Sequence, residues 1–282
     1  MSEIASAQVY KRPDDMEYFK EKEPPTALDA ESAYIFVRLG KTSKKWAPAP
    51  TFIRQLTTPE AAEYDVIKRE KFAEANEKNE KKRTKRLEAK AKAKERGEPY
   101  TKRIPGVLSY EQFSFEYEPV SNVYVTIAQK KYRKTEYGRD LFFSVKPGRY
   151  VLFNVGGVCM CLGTVEFDVK AGVVTDLGMI VSDLADRDGE VSQYPEIETA
   201  TKNHGVYRTG FPYVASAVRP YSETMDFPAE LSGLNRVGAE YHAKGRLPLY
   251  FGTMIDRLPA IPGVLSYRDG KVLDARTGQV LN

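Results

Sequence analysis

The feature that most constrains this chain is a period-two alternation of apolar and polar residues between Tyr110 and Val181. Phe113, Phe115 and Tyr117 alternate with polar neighbours, and so do Val123, Val125 and Ile127. In Thr164–Val169, Val165, Phe167 and Val169 share one side while Thr164, Glu166 and Asp168 share the other. Successive strand side chains point to opposite faces, so this spacing predicts half-buried strands with the three apolar residues in a core. Leu141–Val145 and Tyr150–Val155 flank the turn Lys146-Pro147-Gly148-Arg149, and Lys170-Ala171-Gly172 leads into Val173–Val181. Short strands separated by such turns predict an antiparallel β-sandwich.

A second pattern interrupts the first. Thr58-Pro59-Glu60 opens a helix, with Thr58 as its cap and Pro59 in the first turn. Tyr64, Ile67 and Phe72 give it an apolar stripe only at its start. From Phe72 to Gly97 the one larger aliphatic residue is Leu87. Helix formers and the i,i+4 pairs Glu74–Lys78, Glu77–Lys81 and Glu88–Lys92 keep the helix going. Gly97 and Pro99 end it. The expected object is a solvent-exposed helix projecting from the body.

The fold class expected is therefore mainly β: an antiparallel β-sandwich with an inserted long charged α-helix and an irregular C-terminal region. Residues 1–31 form an extended N-terminal arm, 32–57 and 100–182 the sandwich, and 58–99 the charged helix. Residues 183–282 form an irregular extension closed by a β-hairpin with Asp269-Gly270 at its turn. One heptapeptide, IPGVLSY, occurs twice, at Ile104–Tyr110 and Ile261–Tyr267. It reads either as two similar Pro-Gly turns feeding strands or as two equivalent elements paired in space.

The run FFSVKPGRYVLFNVGG…CLGTVEFDVKAGVVTDLGMI resembles the prealbumin-like bacterial β-sandwich domain of uncharacterised envelope-associated proteins. The matching residues are Pro147, Gly148, Tyr150, Phe167, Ala171 and Gly172, within about residues 140–181. The resemblance implies a structural or binding module with no catalytic residues to carry over. It also implies a periplasmic or outer-membrane setting. As written, Met1–Tyr10 has no positive n-region or apolar h-region, which by itself predicts a cytoplasmic protein.

Charge narrows the function classes. The 43 Lys+Arg barely exceed the 39 Asp+Glu. Residues 68–96 hold 13 basic and 6 acidic residues, a net +7, so the rest of the chain is near neutral. Two polyanion-binding candidates follow. One is Lys81, Lys82, Arg83, Lys85 and Arg86 on the helix. The other is the loop 129–139 with Lys130, Lys131, Tyr132, Arg133 and Lys134. The helix lacks aromatic residues after Phe72 to stack on bases and the apolar face of a membrane-surface helix.

Two Cys exclude a disulfide-dense scaffold, and Cys159-Met160-Cys161 places both sulfurs on one strand face. The pair reads as core thiols, as a disulfide or redox pair, or as part of a metal site needing His204 or His242. The sequence carries no phosphate-binding glycine loop, nucleophile elbow or metalloprotease helix motif. The residues favour a non-catalytic structural or protein-interaction module using the helix as spacer or docking arm. No cofactor, no metal ligand, no transmembrane segment and a protein partner are expected. The alternatives are a nucleic-acid or polyanion binder and a metal or redox protein.

Overall fold

The alternating segments pair into two larger sheets and one small one in the computed structural model, which describes residues 17–40, 50–111, 113, 115, 123–125, 131–185, 213–247 and 254–281. The chain divides into two compact units, Met1–Gln55 with Val120–Asn282, and Leu56–Pro119. In chain order the elements are β1 (Ala33–Gly40), β2 (Pro50–Arg54), α1 (Thr58–Glu95), β3 (Val123–Val125), β4 (Arg133–Lys134), β5 (Gly138–Val145), β6 (Gly148–Val155), β7 (Val158–Cys159) and β8 (Thr164–Val169). They continue with β9 (Val174–Ala185), β10 (Tyr213–Arg219), β11 (Arg236–Gly238), β12 (His242–Lys244), β13 (Met254–Ile255), β14 (Leu265–Arg268), β15 (Lys271–Asp274) and β16 (Val280–Leu281). The fold is mainly β.

In the first sheet the order is β10-β9-β1-β5-β4, with β11 also on β9. It is mixed: β1 runs antiparallel to β5 but parallel to β9. In the second the order is β12-β8-β6-β2-β3, with β7 and β13 added beside β6. The two turns singled out in the sequence carry the chain between sheets. Lys146-Pro147 leads from β5 in the first sheet to β6 in the second, and residues 170–173 lead from β8 back to β9.

One buried cluster draws on both sheets. Ile35, Val37, Leu39, Leu141, Phe143 and Ile180 come from the first, and Phe52, Leu152, Val165, Phe167 and Val169 from the second. Each such side chain stabilises the fold by about 1.5–3 kcal/mol when taken fully out of water. Val165, Phe167 and Val169 are buried as the alternation requires. Thr164, expected on the exposed side, is fully buried: its hydroxyl donates to the Leu152 carbonyl at 2.5 Å, which removes the penalty for burying it.

β1 is buried on both faces. Its outer face is covered by Phe19, Leu28, Phe227 and Leu231, which pack with Tyr34, Phe36 and Phe142. The described part of the N-terminal arm is thus docked. Ser144 N–H donates to the Glu17 carbonyl, and Phe19 N–H donates to that of Phe142. The C-terminal region is more regular than its sequence suggests. It supplies β10 and β11 to the first sheet, β12 and β13 to the second, and the whole third sheet β14-β15-β16. Apart from β10 these strands have only two to four residues, too few to show an alternation, and pairing to β9 and β8 organises β10, β11 and β12. The Asp269-Gly270 turn forms as expected, both residues having positive φ, 50° and 74°.

Candidate binding surfaces

The Leu56–Pro119 unit is built on α1, 38 residues long with none buried. The cap is Thr57 rather than Thr58. Its hydroxyl accepts from Glu60 N–H, while the Glu60 carboxylate accepts from Thr57 N–H. This reciprocal box satisfies two amides that the first helical turn leaves unpaired. Gly97, at φ 69°, ends the helix.

Aromatic residues then clasp the returning chain to α1. Tyr64 stacks on Phe115 at 5.1 Å, and Phe72 meets Tyr110 and Phe113 edge-on at 5.3 and 5.4 Å. Lys68 lies 4.7 Å from the Tyr110 ring centre. Farther along, Asn79 Nδ2 donates to the Gly106 carbonyl at 2.7 Å. Phe113 and Phe115, expected in a sheet, lie outside any strand. Their period-two spacing does put both rings on one side, but the surface they meet is a helix.

Charge on α1 is partly segregated: Lys81 and Lys92 share the main glutamate sector, and Asp65 and Glu80 lie outside it. At about 100° per residue, Glu63, Glu70, Glu74, Glu77, Glu88 and Glu95 fall within a sector roughly 60° wide. Lys68, Lys71, Lys82, Arg86 and Lys90 fall on the adjoining side, together with Tyr64, Phe72 and Asn79, and Lys78 and Lys85 lie between the two. The returning chain therefore runs along the basic side. There Lys82, Arg86, Lys102, Arg103 and Pro105 line a groove of 430 Å³. None of its four cations forms an ion pair among the described residues. Of the helix cations singled out in the sequence, Lys82 and Arg86 line the groove, Lys81 pairs with Glu77 on the acidic side, and Arg83 and Lys85 are exposed. The seven-residue spacing of Glu63, Glu70 and Glu77 was the signal for this sorting.

The second surface lies on the first sheet. Arg38 binds Asp176 through both carboxylate oxygens, at 2.7 and 3.0 Å, and donates to the carbonyls of Gly178 and Asp226. Beside it, fully buried Asp140 accepts from Arg133 Nε at 2.6 Å and from the Tyr137 hydroxyl at 2.5 Å. Burial raises the Asp140 carboxyl above its ordinary range and raises the Tyr137 phenol as well. A cavity of 630 Å³ opens here, lined by Arg38, Arg133 and Lys134 and by Glu21, Glu136 and Asp226, among others. Its charges balance, and Arg38 spends its donors on protein acceptors.

The loop 129–139 thus presents less than its sequence suggests. Tyr132 is buried, with its ring edge-on to Phe142 and its hydroxyl donating to Glu230 at 2.8 Å. Arg133 is engaged by Asp140 and Asp226. Lys131 and Lys134 are exposed, and Lys130 lies outside the described residues.

Cys159 and Cys161 are joined in a disulfide. Both are buried with Phe153, while Met160 between them points into the main core. His242 lies 3.9 Å from Glu240 and 3.4 Å from Arg276, and His204 is outside the described residues. Among the described residues no three metal-ligating side chains cluster, and no helix is long and apolar enough to cross a membrane. Compared with protein-family models, characterised proteins and solved structures, the chain matches none.

Proposed function

We propose that this protein is a non-catalytic interaction module, a β-sandwich body of the prealbumin-like kind that carries a charged helical docking arm. The observation that carries this reading is α1: thirty-eight helical residues, none buried, with six glutamates gathered in one sector and the cations Lys68, Lys82 and Arg86 outside it. A helix kept for packing normally buries an apolar stripe. This one presents charge instead.

Support for the sandwich comes from the buried cluster shared by the two sheets and from the turns that pass between them. Support for a non-catalytic body comes from its buried ionisable groups. Arg38 and Asp176 are committed to each other, Arg38 also to the backbone, and Asp140 to half-buried Arg133 and to Tyr137.

The test is capture from a native lysate with the full chain and with a form in which a short Gly-Ser linker replaces Ala73–Arg96. Partners should be recovered with the full chain and lost with the shortened one. Equal recovery by both forms would contradict docking through the arm.

A further inference from the structure

Resting on the reading of α1 as a docking arm, we propose that the groove between α1 and the returning chain binds the phosphodiester backbone of double-stranded nucleic acid, independently of sequence. Lys82 and Arg86 on the helix and Lys102 and Arg103 on the returning chain converge on one groove. Four cations held together without carboxylates repel one another, and an external polyanion relieves that repulsion. The glutamate sector on the other side of α1 repels the same polyanion and so orients it.

The groove is preorganised. The Asn79 bond to Gly106 and the Phe72 contacts with Tyr110 and Phe113 hold the returning chain against the helix. Arg86 and Arg103 bring planar forks suited to two phosphate oxygens, and the lysines add point charges.

The lining decides between partner classes. Protein interfaces bury an apolar, charge-depleted centre, whereas nucleic-acid interfaces are polar and strongly basic. Apart from Pro105 this groove is lined by cations. A membrane surface would need a continuous apolar face, which α1 lacks. Tyr64, Phe72, Tyr110, Phe113 and Phe115 of this unit are engaged with one another. They do not offer the stacking platforms on which single strands rely. A duplex backbone matches what remains.

The test uses the full chain with two unrelated duplex DNAs and a duplex RNA, followed by fluorescence anisotropy over a salt series. All three should bind with similar affinity. Lys82→Gln, Arg86→Gln, Lys102→Gln and Arg103→Gln combined should lower the slope of log affinity against log salt by about 3–4, near 0.9 for each phosphate that is no longer neutralised. Gln keeps helix propensity, and an unchanged helical circular dichroism signal shows the variant folded. Lys92→Gln, in the glutamate sector, should change affinity by less than about twofold.

Absence of duplex binding at low salt, an unchanged slope in the fourfold variant, or displacement of duplex by equimolar polyglutamate or anionic vesicles would each overturn the inference. Loss of lysate partners from the Gly-Ser form without any duplex binding would sink this inference alone. Undiminished duplex binding by the Gly-Ser form would sink the docking-arm reading as well.

Discussion

Arg38 on β1 and Asp176 on β9 meet in a buried, two-pronged ion pair, Nη1 to Oδ1 at 2.7 Å and Nη2 to Oδ2 at 3.0 Å. Their side chains are 2% and 0% exposed. The pair joins neighbouring parallel strands, and two further Arg38 bonds reach the Asp226 carbonyl. It therefore ties the sheet to the segment that covers it. Asp176→Ala leaves a buried guanidinium uncompensated and should cost about 3–5 kcal/mol in urea unfolding. Arg38→Met combined with Asp176→Leu removes both charges and should cost far less. Equal losses in the two variants would mean that the pair acts through shape and not charge.

Gly178 has φ 75°, and a Cβ there would run into the Arg219 carbonyl. Its N–H also donates to Asp176, and its carbonyl accepts from Arg38. Gly178→Ala should destabilise the body by more than about 2 kcal/mol, combining left-handed strain with a backbone clash. Gly97, at φ 69°, has open space where its Cβ would be. Gly97→Ala should cost about 1 kcal/mol, and circular dichroism should place the loss in the helix. Similar global losses for both variants would contradict this contrast.

Two aspartates should titrate on opposite sides of the ordinary carboxyl value. Burial raises Asp140, whereas the Arg149 hydrogen bond lowers Asp168. For Asp140 the folded state binds its proton more tightly than the unfolded chain does. Its contribution is fully present below about pH 3.9 and is lost as pH rises through the raised folded value. For Asp168 the contribution is present above about pH 3.9 and is lost as pH falls through the lowered folded value. Carboxyl carbon shifts followed by NMR should show the two midpoints in that order, and the reverse order would contradict it.

The disulfide should be inert in the native state. Cys159 and Cys161 are 0% and 2% exposed, so a reductant has no approach to either sulfur. Mass spectrometry after mild reductant and an alkylating reagent should find the thiols unmodified in native protein and modified after denaturation. Native-state labelling at the same rate would contradict the packing described around Phe153.

Much of this fold is written in local patterns, and its departures have physical causes. The strands Leu141–Val145, Tyr150–Val155 and Thr164–Val169, the Asp-Gly hairpin and the helix were legible because periodicity and turn chemistry are local properties. The repeated IPGVLSY shows where locality ends. At Ile261–Tyr267 it turns at Gly263, φ 70°, and enters β14 with Leu265 in the core. At Ile104–Tyr110 it forms no strand, and Val107 is 74% exposed. Seven identical residues thus take two structures according to the surface they meet. Tyr132 looked like a loop aromatic because the sequence does not show Phe142 and Glu230 waiting to receive its ring and hydroxyl. The groove was half legible: Lys82 and Arg86 stood out, but Lys102 and Arg103 join them only through the chain reversal at Gly97.

As a docking arm, α1 should not support the fold of the body. Thermal unfolding of the chain with Ala73–Arg96 replaced by a short Gly-Ser linker tests this most directly. The account predicts that the body melts within about 2 °C of the full chain, because no side chain of α1 is buried. A fall of more than about 6 °C would contradict it and would make the helix part of what holds the body together.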